Sequence, residues 1–417
     1  MGRVNKSLLI LATILYAQSF TQALENRSFK KEWTFQGYRV FKYSRDIATD
    51  DNSFLYAVCT EDKLPAEMNC NVTIETPILP WSNTSRIESC DLNLIGSGDG
   101  ELRQEVTGIV SVERLSKDRV IVVWWERRRN SQYQIQNIKV SLVRMANCTN
   151  RILTFPVNAA GRVLLSNVLV YPTGFDVVVS HKASCVNSST CRLSHDLEGQ
   201  RVGEPVAFVS NFDAVYTQLI SPTSPDKGLY LSGADIDAWT FRAMHVSSIG
   251  VETNLVIARV PDPRKIQRAT SNAHELYGIC LMVDGRIRCA QFDAQAHTKL
   301  DTYIGVPGNI QWLAVHNIAN GGLLLLTGHC KSHKCRSFRI AMIRENGRRA
   351  GKSLDVPDLD LKCSRLPRDL VVDVAETRTE FCFYFACAYA RKTLEKDAKS
   401  VVTFSSKCVP KLVIQHD

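Results

Sequence analysis

The chain is poor in long apolar runs. The stretch at residues 8–17 (LLILATILYA) is about half of the roughly 20 residues a bilayer-spanning helix needs, and no later stretch is long enough. Residues 322–327 (GLLLLT) stop after four leucines, so no membrane span is expected. Helical periodicity is almost absent, which argues against bundles and helix-rich layered folds. Linkers are missing as well: no Pro/Gly/Ser-rich or charged stretch separates units, and Pro261-Asp262-Pro263 is the best candidate for a boundary. Catalytic signatures are also scarce. There is no Gly-x-Ser-x-Gly elbow. The glycine-rich segment 96–100 (GSGDG) has no helix after it, so it reads as a surface turn and not as a phosphate cradle. No cofactor is implied.

What is present begins with a compartment signal. Residues 1–23 predict a secretory signal peptide: Arg3 and Lys6 precede the apolar stretch, and Thr21-Gln22-Ala23 sets small residues where a signal peptidase reads. The mature chain would be 24–417. Sequons stand at Asn26, Asn71, Asn83, Asn147 and Asn187. Fourteen cysteines, mostly in close pairs, suit an oxidising compartment. The chain is thus expected to be secreted and N-glycosylated.

Short β-branched and aromatic runs recur along the whole length, separated by Gly, Pro, Asn and Asp. Taking Tyr56, Val122, Val177, Tyr230, Tyr277, Leu324 and Phe383 as anchors, the spacings are 66, 55, 53, 47, 47 and 59 residues. Each anchor run is preceded by a mixed strand, as at 109–114, 165–171, 217–221, 311–316 and 370–374. It is followed by an alternating strand, as at 133–142, 239–246 and 286–292, and then by a shorter fourth. Seven units of four antiparallel strands predict an all-β fold, a single seven-bladed β-propeller over 24–417. Six or eight blades, or tandem β-sandwiches, are the alternatives. Residues 32–44 are expected to complete a blade with the C-terminal strands. Neither a WD dipeptide nor a recurring diglycine is present.

Asp284-Gly285 is a two-residue hairpin signal, because both positions of its turn need positive φ. Counting outwards from it sets Cys280 opposite Cys289 in a non-hydrogen-bonded pair, close enough for a disulfide. The same logic links Cys330 to Cys335, Cys185 to Cys191, and Cys59 to Cys70, all between second and third strands. Cys387 with Cys408 is considered for the last unit; Cys90, Cys148, Cys363 and Cys382 are left unassigned.

No catalytic or metal site is assigned. His329, Cys330, His333 and Cys335 crowd one hairpin, and a disulfide there removes the thiolates zinc would need. Ser194-His195-Asp196 is not a triad, since strand neighbours face opposite sides. Asp235, Asp237, Glu275, Asp284 and Asp293 are the acids available to a glycosidase-like propeller, and solvated turn residues are the plainer reading. Of Trp124 and Trp125, one is expected in the core and the other at a blade junction or the surface.

The charge is uneven. The net is +9, two of which leave with Arg3 and Lys6. Residues 331–352 hold Lys331, Lys334, Arg336, Arg339, Arg344, Arg348, Arg349 and Lys352 against Glu345 alone, a net of +7. The tips of this hairpin and of the following turn should lie at opposite ends of a blade. They could meet a polyanion such as heparan sulfate, or simply solvate an outer strand. All sequons precede residue 188, which leaves the later units bare. These features suggest a binding role toward an extracellular protein or anionic glycan. A glycan-processing hydrolase and a small-ligand carrier are the alternatives, and nucleic acid is not favoured.

Overall fold

The computed structural model describes residues 28–411 apart from 37–38, 43–52, 62–66, 78–84, 99–102, 129–134, 157–165, 181–189, 209–212, 221–227, 236–238, 260–266, 306–309, 311, 332–333, 357–360, 363–369 and 391–398. The signal-peptide reading and the sequons Asn26, Asn83 and Asn187 fall outside the described residues.

β1 (Ser28–Gln36) opens the described chain. Blade 1 is β2 (Arg39–Lys42), β3 (Phe54–Glu61), β4 (Glu67–Pro77) and β5 (Ser85–Ile95). Blade 2 is β6 (Glu105–Ser116), β7 (Arg119–Arg127), β8 (Ile135–Arg144) and β9 (Thr149–Pro156). Blade 3 is β10 (Ser166–Tyr171), β11 (Gly174–Ser180), β12 (Thr190–Asp196) and β13 (Val206–Phe208). Blade 4 is β14 (Asp213–Ile220), β15 (Leu229–Asp235), β16 (Thr240–Val246) and β17 (Glu252–Arg259). Blade 5 is β18 (Arg268–Ala273), β19 (Leu276–Val283), β20 (Arg286–Phe292) and β21 (Thr298–Gly305). Blade 6 is β22 (Trp312–Asn317), β23 (Leu323–Lys331), β24 (Lys334–Ile343) and β25 (Arg349–Val356), with β26 (Leu361–Lys362) also on β24. Blade 7 is β27 (Leu370–Glu376), β28 (Glu380–Ala390), β29 (Lys399–Pro410) and, as its fourth strand, β1.

The result is a seven-bladed β-propeller. Every blade is an antiparallel meander except the last, which borrows β1, running from Ser28 opposite Lys407 to Gln36 opposite Lys399. This corrects the expectation for 32–44: only its first part lies on blade 7, and Arg39–Lys42 is already blade 1. β1 thus lies at the outer edge of blade 7 and β2 at the inner edge of blade 1. First strands of neighbouring blades touch, β2 with β6, β6 with β10, β10 with β14, β14 with β18 and β18 with β22, so they line the axis.

Strand alternation builds the core between blades. On β7, Val120, Val122 and Trp124 join the apolar cluster shared with blade 1, while Ile121 and Val123 join the one shared with blade 3. Six such clusters bridge consecutive pairs from blades 1 and 2 to blades 6 and 7. Both tryptophans are therefore at junctions: Trp124 is fully buried with its Nε1 donating to Ser141 Oγ, and Trp125 is partly buried against blade 3. Each fully buried aliphatic or aromatic side chain contributes roughly 1.5–3 kcal/mol. A strand buried on both sides reads as a continuous apolar run, which is why the second strands stand out in the sequence.

Four antiparallel strands return the chain to the end where a blade began, so all first strands run the same way. One end of the ring, the entry face, carries the links between blades and the second-to-third turns. The opposite, far face carries the first-to-second and third-to-fourth turns. Asp284 (φ 49°) and Gly285 (φ 74°) form the tight entry-face turn of blade 5.

Disulfides join Cys59 to Cys70, Cys90 to Cys148, Cys280 to Cys289 and Cys382 to Cys408. Cys280 and Cys289 are register partners with Cα atoms 4.1 Å apart. Cys330 lies opposite Cys335 in the β23–β24 register. Cys191 is disulfide-bonded, and Cys185 lies outside the described residues, as does Cys363. The pairing considered for Cys387 is corrected: register sets Cys382 opposite Cys408 and Cys387 opposite Thr403. The Cys90–Cys148 bridge is of another kind, tying the fourth strand of blade 1 to the far-face turn of blade 2.

Candidate functional site

The first strands of blades 5, 6 and 7 line a cavity of about 500 Å³, and its walls run from Thr270 to His274, Ala314 to His316, and Val372 to Glu376. Three ionisable side chains meet there at the far-face ends of those strands. His274 Nε2 lies 3.0 Å from Glu376 Oε2. The rings of His274 and His316 approach edge to face at 6.0 Å. One donor atom from each of His274, His316 and Glu376 lies within 4.8 Å of the others, so this trio could hold a metal ion. A second group, Glu380, Cys382 and Cys408, is disqualified because its sulfurs are in a disulfide.

Each member is held from its own strand. His274 and Glu275 make the first-to-second turn of blade 5 with φ values of 58° and 59°, a left-handed pair without glycine. Glu376 ends β27 and is anchored twice: Lys411 Nζ donates to Oε1 at 2.6 Å, and the Ala319 N–H donates to Oε2 at 2.9 Å. Burial works to raise the Glu376 carboxyl, but these bonds and the charges of Lys411 and His274 hold it below the usual carboxylate range. Burial pushes the His316 imidazole down to about 4, against the opposing pull of Glu376. It is neutral near pH 7, and its Nε2 is buried without a hydrogen-bond partner.

Beside His316, Asn317 clasps blade 6 to blade 5. Its backbone N–H donates to Ser271 Oγ at 2.9 Å. Its Nδ2 donates to the carbonyls of Ser271 (3.1 Å) and Leu276 (2.5 Å), and its Oδ1 accepts Gln291 Nε2 at 3.0 Å. Gly278 makes room for this, since a Cβ there would meet Asn317 Oδ1 at 2.4 Å. The clasp sets the spacing between the strands that carry His274 and His316.

The basic segment is divided by the structure. The side chains of Lys331, Lys334, Arg336 and Lys352 lie outside the described residues. Arg339 is paired with Asp355, Nε to Oδ1, at 2.8 Å. On the far-face turn of blade 6, Arg344, Arg348 and Arg349 are exposed. Arg349 bonds Ser353 Oγ, and among the described residues no carboxylate lies within ion-pair distance of Arg344 or Arg348.

The acids singled out in the sequence are not brought together. Glu275 and Asp293 lie on far-face turns of blade 5, and Asp284 lies on its entry face. Asp293 is bound to Lys299 at 3.0 Å. Asp235 ends β15 on blade 4, and Asp237 lies outside the described residues. His195 is a packing residue, stacked on Phe175 with ring centroids at 5.1 Å and set edge-on to Phe155 at 5.4 Å. Ser97 of the glycine-rich segment is tied to the buried Glu126 by its N–H (2.9 Å) and hydroxyl, a structural contact. Of the two described sequons, Asn147 is exposed on the far-face turn of blade 2, while Asn71 is half-buried with its Nδ2 donating to Asp91 at 2.8 Å.

His274, His316 and Glu376 were not found by reading the sequence. β18 (RATSNA) has no apolar pattern to mark it as a strand. The available signal was positional: in three successive units an ionisable side chain falls at the end of the first strand.

No family model matches the chain, and no curated protein matches it. Solved structures of similar fold include the complex of KlAtg21 with the coiled-coil of AgAtg16, at 12% identity and a TM-score of 0.48, covering 87% of this chain and 96% of that one. The β-propeller domain of the Trilobed protease from Pyrococcus furiosus is similar at 7% identity and a TM-score of 0.45, covering 89% and 94%. The WD40 domain of SCAP from fission yeast is similar at 8% identity and a TM-score of 0.39, covering 91% and 98%. At such identities these are likenesses of fold alone.

Proposed function

We propose that the chain is a secreted, N-glycosylated binding protein, one propeller over 24–417 behind a signal peptide at 1–23, whose partner is an anionic extracellular glycan. One observation carries the reading: Arg344, Arg348 and Arg349 are presented together on an exposed turn, and among the described residues none of the three has a carboxylate within ion-pair distance. Arg103, Arg119, Arg127, Arg192, Arg288 and Arg339 are each matched to a carboxylate, and exposed arginines without an ion pair among the described residues, such as Arg144, Arg201 and Arg286, stand one to a turn. The disulfides support an oxidising compartment. The absence of sequons after residue 188 leaves the basic turn clear of carbohydrate.

The test is titration with a heparin oligosaccharide at low and at physiological salt, on the wild type and on the triple variant R344E/R348E/R349E. Charges that meet a polyanion through water are screened over about 8 Å at physiological ionic strength, so affinity should fall steeply with salt. The triple variant should lose at least tenfold in affinity. Equal affinity in a folded triple variant, or binding insensitive to salt, would refute the proposal.

A further inference from the structure

We propose that His274, His316 and Glu376 bind a divalent transition-metal ion of the zinc class at the far-face mouth of the channel, with one coordination position open to the cavity. Two imidazoles and one carboxylate are the donor set of three-ligand zinc sites that keep a fourth position free. Calcium and magnesium take six or more ligands, nearly all oxygen, and this trio offers too few.

The geometry is close to what an ion needs. Donors at about 2.0–2.1 Å from a tetrahedral ion sit roughly 3.3 Å from one another. Here one pair is 3.0 Å apart and all three fall within 4.8 Å, so small side-chain rotations complete the shell. The three donors come from three separate blades, and the Asn317 clasp fixes two of those blades against each other. Burying a polar nitrogen without a partner is unfavourable, and His316 Nε2 is in that state on a ring that offers a donor atom within 4.8 Å of the other two. An ion would supply what it lacks. The bonds from Lys411 and the Ala319 N–H orient the Glu376 carboxylate in the manner of outer-shell contacts in metal sites. Lys411 also adds positive charge beside the ion, so the open position would favour an anionic ligand, such as a carboxylate or phosphate, over a neutral one.

The experiment uses the purified mature chain without a histidine tag, stripped with chelator and titrated calorimetrically with zinc, then with calcium and magnesium. One zinc per chain should bind, and the two hard cations should bind at least tenfold more weakly. Cobalt(II) in place of zinc should give the intense visible bands of a low-symmetry, four- or five-coordinate site. H274A is the decisive variant, because His274 is exposed and its loss leaves the core intact; zinc affinity should fall at least tenfold, with the thermal midpoint unchanged. H316Q should do the same, and H297A, an exposed histidine on another turn of blade 5, should have no effect. Zinc affinity unchanged in folded H274A, or the absence of stoichiometric binding by the wild type, would overturn the proposal and leave the trio as a close His–Glu contact beside His316.

Discussion

Asn317 is the residue whose removal should be felt furthest from its own side chain. It is fully buried, as is its partner Gln291, and its carboxamide makes three close bonds: to the Ser271 carbonyl, to the Leu276 carbonyl and from Gln291 Nε2. Net stabilisation of about 1 kcal/mol per bond sets the loss in N317A near 3 kcal/mol, and more if the carbonyls stay unpaired. For a chain of about 400 residues, an unfolding entropy of about 0.8 kcal/mol/K converts this to a fall of roughly 4 °C in the thermal midpoint. G278A approaches the same clasp from the other side, since its Cβ would meet Asn317 Oδ1 at 2.4 Å and Leu323 Cδ2 at 2.9 Å. In the N317A background the first of those clashes is gone. Scanning calorimetry on both single variants and the double variant should therefore show a double loss smaller than the sum by about 1 kcal/mol or more. A midpoint of N317A within 1 °C of wild type, or additive losses, would refute the argument.

Three further outcomes are expected. E126Q should lose about 3–5 kcal/mol in urea unfolding, because the fully buried carboxylate accepts from Ser97 and Asn137 and faces Lys139 Nζ at 3.4 Å. Among disulfides, the double Cys→Ala replacement at Cys90 and Cys148, 58 residues apart, should cost about 4 kcal/mol. The 9-residue separation of Cys280 and Cys289 implies about 2.6 kcal/mol; the reverse order in matched calorimetric scans would contradict the loop-closure account. Burial pushes the His195 imidazole below its ordinary 6.5, so the unfolded chain takes up its proton first as pH falls. The stability associated with neutral His195 is present above pH 6.5 and lost on acidification. A pH series on H195Q should be flatter there than wild type.

Legibility in the sequence followed burial. Val122, Val177, Leu324 and Phe383 sit on second strands enclosed on both sides, so their apolar runs mark the blades directly. Asp284-Gly285 marks a register because its backbone conformation demands particular residue types. The first strand of blade 5 lines the channel with Thr270, Ser271, Asn272 and His274, and without an apolar face it gave no periodic signal. The site on it was hidden for the same reason. Cys90–Cys148 was hidden because contact between successive repeats is not set by any hairpin count. The sequence considers Cys387 for Cys408 and leaves Cys382 unassigned, because β28 and β29 are eight residues apart in the chain and no tight turn fixes their register.

The junction of β1 with β29 has a consequence for the order of events at synthesis. β1, the first described strand, pairs with β29, the last described, about 370 residues later. Closing a loop of that length opposes folding by about 5 kcal/mol in a flexible chain, so six blades must already stand before the contact repays it. Until then two open sheet edges, that of β29 and that of β1, are exposed in the same compartment at the same time. Cys382–Cys408 braces β28 against β29 and readies the acceptor edge. Two half-finished rings that meet before either has closed could exchange their first strands, and the dimer so formed would contain no contact that the monomer lacks.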